Sequence, residues 1–249
     1  MIEEAMSDVS YRQFADPGFG AGRRNWPAAL GALRRLLADP DDTVQVFEIM
    51  RALNGKANLR GYRRLLKTGQ GGRIAYERPE LRLQLIDRSW LDRFAEGSVG
   101  AAYRAFVRQE NLSAQELAEI SLQRIGELEA RHPHAWFARR TRDSHDIWHV
   151  LSGYGRDPLG EACLVAFSYA QTRGLGWLVI ALGAALRTRS GTQPYLRAIW
   201  EGYRRGRAAV WLSGEDYELL LAEPLEAARR RLRLAPPAVY FSIPTESRG

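Results

Sequence analysis

Two histidines and two carboxylates near the middle of the chain are spaced so that they could hold one metal ion. His145 and His149 are four residues apart, Asp146 follows the first of them, and eleven residues separate His149 from Glu161. Because each residue of an α-helix turns the chain by about 100°, the first three side chains fall within one arc of about 100°.

Glu161 can face the same point only if the chain turns back after that first helix. The run 153–155 (Gly-Tyr-Gly) allows a sharp turn, and Asp157 followed by Pro158 is typical of an N-cap and the first turn of a new helix. The second helix would then fold beside the first, with Glu161 in its first turn.

Two imidazoles with one or two carboxylates suit zinc, iron or manganese, and a catalytic zinc site keeps one position for water or substrate. The pattern therefore predicts a metal site formed by His145, Asp146, His149 and Glu161, which include two of the four histidines in the chain. The alternative left open is a pair of interior histidines hydrogen-bonded to neighbouring carboxylates. Cys163 lies two residues beyond Glu161, and a buried structural thiol is the simpler interpretation of it.

The elements that must position these residues are predicted to be helices. Apolar residues recur at helical spacing, breaks are short and evenly spread, and no internal repeat or low-complexity linker is present. We therefore expect an all-α fold, a single-domain bundle of roughly eight to ten helices across residues 1–249, with residues 1–24 and 243–249 loosely ordered. The expected helices lie near 26–38, 43–53, 58–66, 98–108, 113–131, 144–151, 158–172, 174–186, 194–207 and 216–234, the last broken near 224. Asn25 is the expected N-cap of the first of them.

The composition excludes several classes of protein. The chain has 249 residues, 45% of them hydrophobic, which is enough for a substantial core. A single cysteine excludes an internal disulfide framework and a cysteine-based zinc site.

All but two of the 36 basic side chains are arginine, and the net charge is +7, which favours anionic partners. No nucleic-acid-binding module is present, so we expect no nucleic acid partner.

Residues 174–186 form the longest apolar stretch, and they are too few to span a bilayer. The stretch is either a buried core helix or an interfacial one, and its glycines and alanines permit close approach of another helix or a lipid tail. The first ten residues contain acidic side chains and no arginine, so we expect neither a secretory nor a transit peptide.

The chain resembles the coenzyme Q (ubiquinone) biosynthesis family named for the fourth protein of the pathway. The motif from His145 to Glu161 is similar to the family signature, and the similarity extends from about residue 26 to residue 237. The other matching segments are Glu77-Arg78-Pro79, 94–103, Trp148-His149-Val150-Leu151, Leu159-Gly160-Glu161, and 225–234 with Pro236-Pro237.

This resemblance implies an all-α protein that acts on the head group of a prenylated 4-hydroxybenzoate-type precursor. It implies that His145, Asp146, His149 and Glu161 bind a divalent metal, zinc or alternatively iron. It also implies a membrane-bound biosynthetic complex, so the expected partners are the polyprenylated substrate, the membrane surface and other ubiquinone biosynthesis proteins. We expect a bacterial member, a homo-oligomer in the cytoplasm that is peripheral on the inner face of the cytoplasmic membrane.

The resemblance implies a reaction that removes the ring carboxylate para to the phenol. In an oxidative variant of this reaction, the same carbon is hydroxylated. Protonating the carboxyl-bearing carbon first would let the ring accept the electrons that CO2 leaves behind. Asp146 and Glu161 are the catalytic candidates, with Asp146 either a ligand or the proton donor. The alternatives are a non-catalytic lipid-binding scaffold that organises the complex, with a structural metal, and an unrelated metal-dependent hydrolase.

Overall fold

A computed structural model describes residues 24–39, 42–109, 132–187 and 193–248. Apart from one isolated bridge between Ser98 and Pro224, these residues contain no β-structure. The helices are α1 (Trp26–Ala38), α2 (Thr43–Leu53), α3 (Ala57–Leu65), α4 (Gly71–Glu77), α5 (Leu81–Leu85), α6 (Arg88–Leu91), α7 (Val99–Gln109), α8 (Pro133–Asp143), α9 (His145–Ser152), α10 (Pro158–Thr172), α11 (Leu175–Arg187), α12 (Gln193–Ala208), α13 (Tyr217–Leu220), α14 (Leu225–Arg231) and α15 (Ala238–Ser242), with 3₁₀ turns at Leu212–Gly214 and Thr245–Ser247.

The all-α class and the single helical domain are confirmed, but the helices are more numerous than eight to ten. The excess comes from short helices such as α4, α5 and α15, which hold too few residues for a periodic pattern to show. The stretch 216–234 forms two separate helices, because Pro224 lacks the N–H that a continuous helix needs. The helix expected at 113–131 lies outside the described residues.

Two N-caps predicted from the sequence are present. The Asn25 side chain accepts a hydrogen bond from the backbone N–H of Ala28, and Asp157 does the same for Gly160. Each cap satisfies a helix N–H that has no partner within its own helix. The cap at Asp157 fixes the start of α10, which carries the predicted metal ligand Glu161.

Helix α10 is the centre of the molecule, buried along most of its length. It packs most extensively against α12, where Gly202 and Gly206 permit close backbone contact. A Cβ atom at these glycines would lie 2.4 Å from the Cys163 carbonyl oxygen and 2.6 Å from that of Phe167. Cys163 is fully buried in this core, so α10 is held rigidly from its first turn onward.

Helix α11 is the apolar stretch, and it packs between the α1–α2 pair and α10. Its small residues allow this: a Cβ atom at Gly176 would lie 2.6 Å from the Met50 sulfur, and one at Gly183 would lie 2.8 Å from Leu33 Cδ1. Leu182 of the same helix is 55% exposed. The helix is therefore partly core and partly surface.

The end of the chain contacts the start of α10. Ile243 is buried, the backbone N–H of Leu159 donates to the carbonyl of Arg248, and the Arg248 guanidinium lies over the Tyr240 ring. The segment from 243 onward, expected to be loosely ordered, thus makes defined contacts through residue 248. None of the helices in the described part of the chain is long and apolar enough to cross a membrane.

Candidate metal centre

Three of the four predicted metal ligands cluster on α9. The ligand atoms of His145, Asp146 and His149 all lie within 4.8 Å of one another, a spacing that a single metal ion could bridge. The two imidazole rings meet edge to face with their centroids 5.0 Å apart. The helical geometry expected from their spacing is therefore present.

The turn after α9 brings Glu161 to His149, although Glu161 is not part of the three-residue group whose ligand atoms all lie within 4.8 Å of one another. Gly153 ends α9 with a φ of 79°, a left-handed conformation that glycine adopts without strain. Gly160 allows α10 to start directly against that turn, since a Cβ atom there would lie 2.1 Å from the Gly155 carbonyl oxygen. As a result, Glu161 Oε1 lies 3.3 Å from His149 Nε2.

His149 is oriented as a metal ligand would need to be. Its Nδ1 atom lies 3.1 Å from the carbonyl oxygen of Tyr154, and a carbonyl only accepts, so Nδ1 carries the proton. Its Nε2 atom is buried and has no hydrogen-bond partner within the described part of the chain. A backbone carbonyl that fixes the far nitrogen is the usual support of a metal-bound histidine. These residues fit a divalent metal.

His145 occupies the outer side of the cluster. Its ring is parallel to that of Trp177 on α11, at an interplanar angle of 2° and a centroid distance of 5.8 Å, and its Nδ1 lies 3.6 Å from Asp146 Oδ1. The side chains of His145, Asp146 and Glu161 are 22%, 29% and 34% exposed, whereas that of His149 is fully buried. The cluster is therefore closed on the His149 side and open on the other.

The electrostatics favour a cation. Burial alone would raise the pKa of Glu161, but His149, His145 and Arg156 lower it to about 2. Burial would likewise raise the pKa of Asp146, and its neighbours, His145 first, lower it. For His145, the lowering by burial is outweighed by Asp146 and Glu161, so its pKa is raised. Both carboxylates are thus ionised at neutral pH.

Arginines hold the C-terminal end of α9 in place. Arg229 donates from two nitrogens to the carbonyls of Val150 and Leu151, and Arg205 donates to the carbonyl of Ser152. These carbonyls belong to the last turn of the helix, where cations are favoured by the helix dipole. The helix that carries both histidines is thereby fixed at its end.

Several residues of the site were not predicted as such. Phe106 of α7 stacks on His149, Trp177 stacks on His145, and Arg156 donates from Nε to Glu161 Oε1 at 3.3 Å. Trp177 and Phe106 could not be assigned from sequence because aromatic residues in apolar helices usually belong to the core. Cys163 is buried in the hydrophobic core, and burial raises the pKa of its thiol.

Comparison with known proteins points to one family. The family model described as "Coenzyme Q (ubiquinone) biosynthesis protein Coq4" matches residues 24–238. The mitochondrial ubiquinone biosynthesis protein COQ4 homologue of Mus musculus is 31% identical over 180 residues, which is 70% of this chain and 64% of that protein. The homologue of Bos taurus is 30% identical over 215 residues, 84% of this chain and 77% of that protein.

The match spans less than two thirds of the mouse relative's own length. A crystal structure of a protein from Nostoc punctiforme PCC 73102 that is assigned to ubiquinone biosynthesis has the same fold. Its TM-score is 0.58 at 24% sequence identity, and the alignment covers 84% of this chain and 98% of that one.

Proposed function

This chain belongs to the coenzyme Q (ubiquinone) biosynthesis protein Coq4 family, and we propose that it removes the ring carboxylate of a prenylated 4-hydroxybenzoate-type precursor in a metal-dependent reaction at a membrane surface. The observation that carries the proposal is the buried Nε2 atom of His149. It has no hydrogen-bond partner among the described residues and lies 3.3 Å from Glu161 Oε1, beside partly exposed ligand side chains. A structural metal would call for closed coordination, whereas a catalytic one keeps an open position.

The residues proposed to hold the metal are His145, His149 and Glu161, with Asp146 as a fourth ligand or a proton-handling group. Metal binding requires both imidazoles to be neutral, and the two carboxylates and Arg156 then carry two negative charges and one positive charge around the bound cation. A bound zinc or iron ion would supply a Lewis acid with a position open to the substrate.

Asp146 and Glu161 remain the proposed catalytic residues. Their lowered pKa values favour ligand and proton-acceptor roles at neutral pH over the role of proton donor. Loss of CO2 requires one proton to be added to the ring carbon that bore the carboxylate, and solvent at the open side of the cluster can supply it while ionised Asp146 accepts the phenolic proton and the ring becomes a dienone. The bond to CO2 then breaks, its electron pair restores the aromatic ring and moves to the dienone oxygen, and Asp146 returns its proton to that oxygen to give the phenol.

The surroundings of the cluster suit a substrate with an isoprenoid tail. Trp177 lies against His145, and exposed Leu182 lies on the same helix, about 7.5 Å further along its axis and about 140° around it. Each buried CH2 group of a tail contributes roughly 0.8 kcal/mol. We therefore propose that α11 borders the path of the tail from the cluster to the surface.

An aromatic and basic face on α12 supports contact with a membrane. Leu196 and Trp200 are more than half exposed, and Trp200 stacks on Tyr203. Exposed Arg204 and Arg207 lie on the same side of the helix. Aromatic rings next to arginines suit the interface of an anionic bilayer, so we propose peripheral attachment through this face, on the inner side of a bacterial cytoplasmic membrane.

The test uses protein whose metal content has been measured and a prenylated 4-hydroxybenzoate labelled in its carboxyl group. We expect labelled CO2 from the wild type, and loss of both bound metal and turnover in His145→Ala and Glu161→Ala, with helical content unchanged. The product mass separates simple decarboxylation from the oxidative variant. Metal binding without any turnover would instead support the scaffold role, and turnover that survives both substitutions would refute the proposal.

A further inference from the structure

Arg156 lies at the open side of the metal cluster, and we propose that it binds the ring carboxylate of the substrate. Its Nε donates to Glu161 Oε1 at 3.3 Å, while its two terminal nitrogens donate no hydrogen bond to any residue that the structure describes. The side chain is 32% exposed. Two N–H-bearing nitrogens therefore remain available beside Glu161.

Hydrogen bonds fix the backbone on both sides of Arg156, at Gly155 and at Asp157. The N–H of Gly155 donates to the Tyr240 hydroxyl, and the same hydroxyl donates to the carboxylate of Asp157, which in turn caps α10. Arg156 thus stands on a fixed turn between the two helices that supply the metal ligands. Its guanidinium is positioned by the same turn that positions Glu161.

Two other arginines near α9 are already bound to structural partners. Arg140 forms a two-pronged pair with Glu218, with distances of 3.0 and 2.7 Å, and Arg229 donates to two carbonyls of α9. A guanidinium with free terminal nitrogens matches the two oxygens of a carboxylate in the same way that Arg140 matches Glu218. At this position the carboxylate would come from a bound molecule.

The proposed reaction gives this contact a specific kinetic consequence. The carboxylate keeps its negative charge until the bond to CO2 breaks, so the bond to Arg156 is equally present in the bound substrate and during the earlier protonation of the ring carbon. An interaction of this kind lowers KM and does not raise kcat. Arg156 would therefore position and select the substrate.

The inference rests on the proposed function, because that function supplies a substrate with a ring carboxylate. The experiment measures calorimetric affinities of zinc-loaded protein for 3-geranyl-4-hydroxybenzoate and for 2-geranylphenol, which lacks the carboxylate. We expect the wild type to bind the acid at least about 10-fold more tightly than the phenol, because hydrogen bonds between charged groups are stronger than those between neutral ones. Arg156→Gln should abolish that preference, and Arg156→Lys should restore part of it.

Two controls separate this role from others. Arg88→Gln, on an exposed residue of α6, should retain the preference for the acid. If Arg156 acts only by holding Glu161, Arg156→Gln will weaken zinc binding and will lower the affinities for both ligands equally, which overturns the inference. Equal affinity of the wild type for the two ligands, including no measurable binding of either, also overturns it.

Carbon dioxide release from the same acid is measured in parallel. A preference for the acid that depends on Arg156, without any CO2 release, would refute the proposed function and leave carboxylate binding by Arg156 established. Where turnover occurs, Arg156→Gln should raise KM at least about 10-fold and leave kcat within about threefold. A fall in kcat at unchanged KM would contradict the assignment.

Discussion

His149 Nε2 lies 3.3 Å from Glu161 Oε1, and this contact joins two helices that are separated in sequence by a short turn. His149 is fixed from behind by the Tyr154 carbonyl, and Glu161 is fixed by the capped first turn of α10. The pair therefore depends on how closely the start of α10 approaches the turn 153–155. That approach can be tested without altering either ligand.

Gly160→Ala should displace Glu161 from His149. The new methyl group would lie 2.1 Å from the Gly155 carbonyl oxygen, a backbone atom that cannot move aside freely. We expect a loss of about 1–3 kcal/mol in the free energy of unfolding and at least tenfold weaker zinc binding, measured by urea unfolding and metal titration.

Gly72→Ala is the matched control, because a Cβ atom at Gly72 meets no atom within 4 Å. It should leave zinc affinity unchanged and stability equal or slightly higher. Zinc affinity that stays at the wild-type level in Gly160→Ala would show that the close approach of the two elements does not position Glu161.

Low pH should lower the free energy of unfolding of the metal-free protein, in part because Glu161 becomes protonated. Its folded pKa of about 2 is below the ordinary value of 4.5, so its stabilising contribution is present above pH 4.5 and is lost as the pH falls towards 2. Relative to Glu161→Gln, we expect the wild type to be more stable by about 1 kcal/mol at pH 7, a figure reduced for partial exposure. Urea unfolding at several pH values should show this difference shrinking below pH 4.5, and a difference that grows in acid would contradict the assignment.

Binding to anionic vesicles should depend on Trp200, which belongs to the aromatic and basic face of α12, and on Leu182, the exposed residue of α11 beside the proposed path of the tail. Leu182→Asp and Trp200→Ser remove apolar surface that is 55% and 60% exposed, so each should reduce binding to phosphatidylglycerol vesicles several-fold without lowering stability. Leu83→Asp, at a leucine that is 58% exposed on α5, is the control and should bind as the wild type does. Equal loss of vesicle binding in all three variants, or no loss in any of them, would contradict membrane attachment through these residues.

The sequence predicted the long helices well because their periodicity and caps are local signals. Asn25 and Asp157 cap helices at the expected positions. The apolar stretch forms α11, which begins and ends one residue later than predicted. The short helices α4 and α5 escaped prediction, because five to seven residues that are fixed by tertiary packing carry little periodicity of their own.

The site was predictable to the extent that it depends on spacing along one helix and one turn. His145, Asp146 and His149 follow from helical geometry, and the approach of Glu161 follows from the glycines of the turn. The stacking of Trp177 on His145 and the placement of Arg156 depend on how separate segments pack. No spacing rule along the chain specifies those contacts.

The central claim is that one divalent ion binds to these side chains, and X-ray absorption at the zinc edge of the loaded protein measures its ligands directly. The account predicts nitrogen and oxygen ligands only, at about 2.0–2.2 Å, with the outer-shell scattering of two imidazoles. A sulfur ligand at about 2.3 Å, or a spectrum without imidazole scattering, would contradict it.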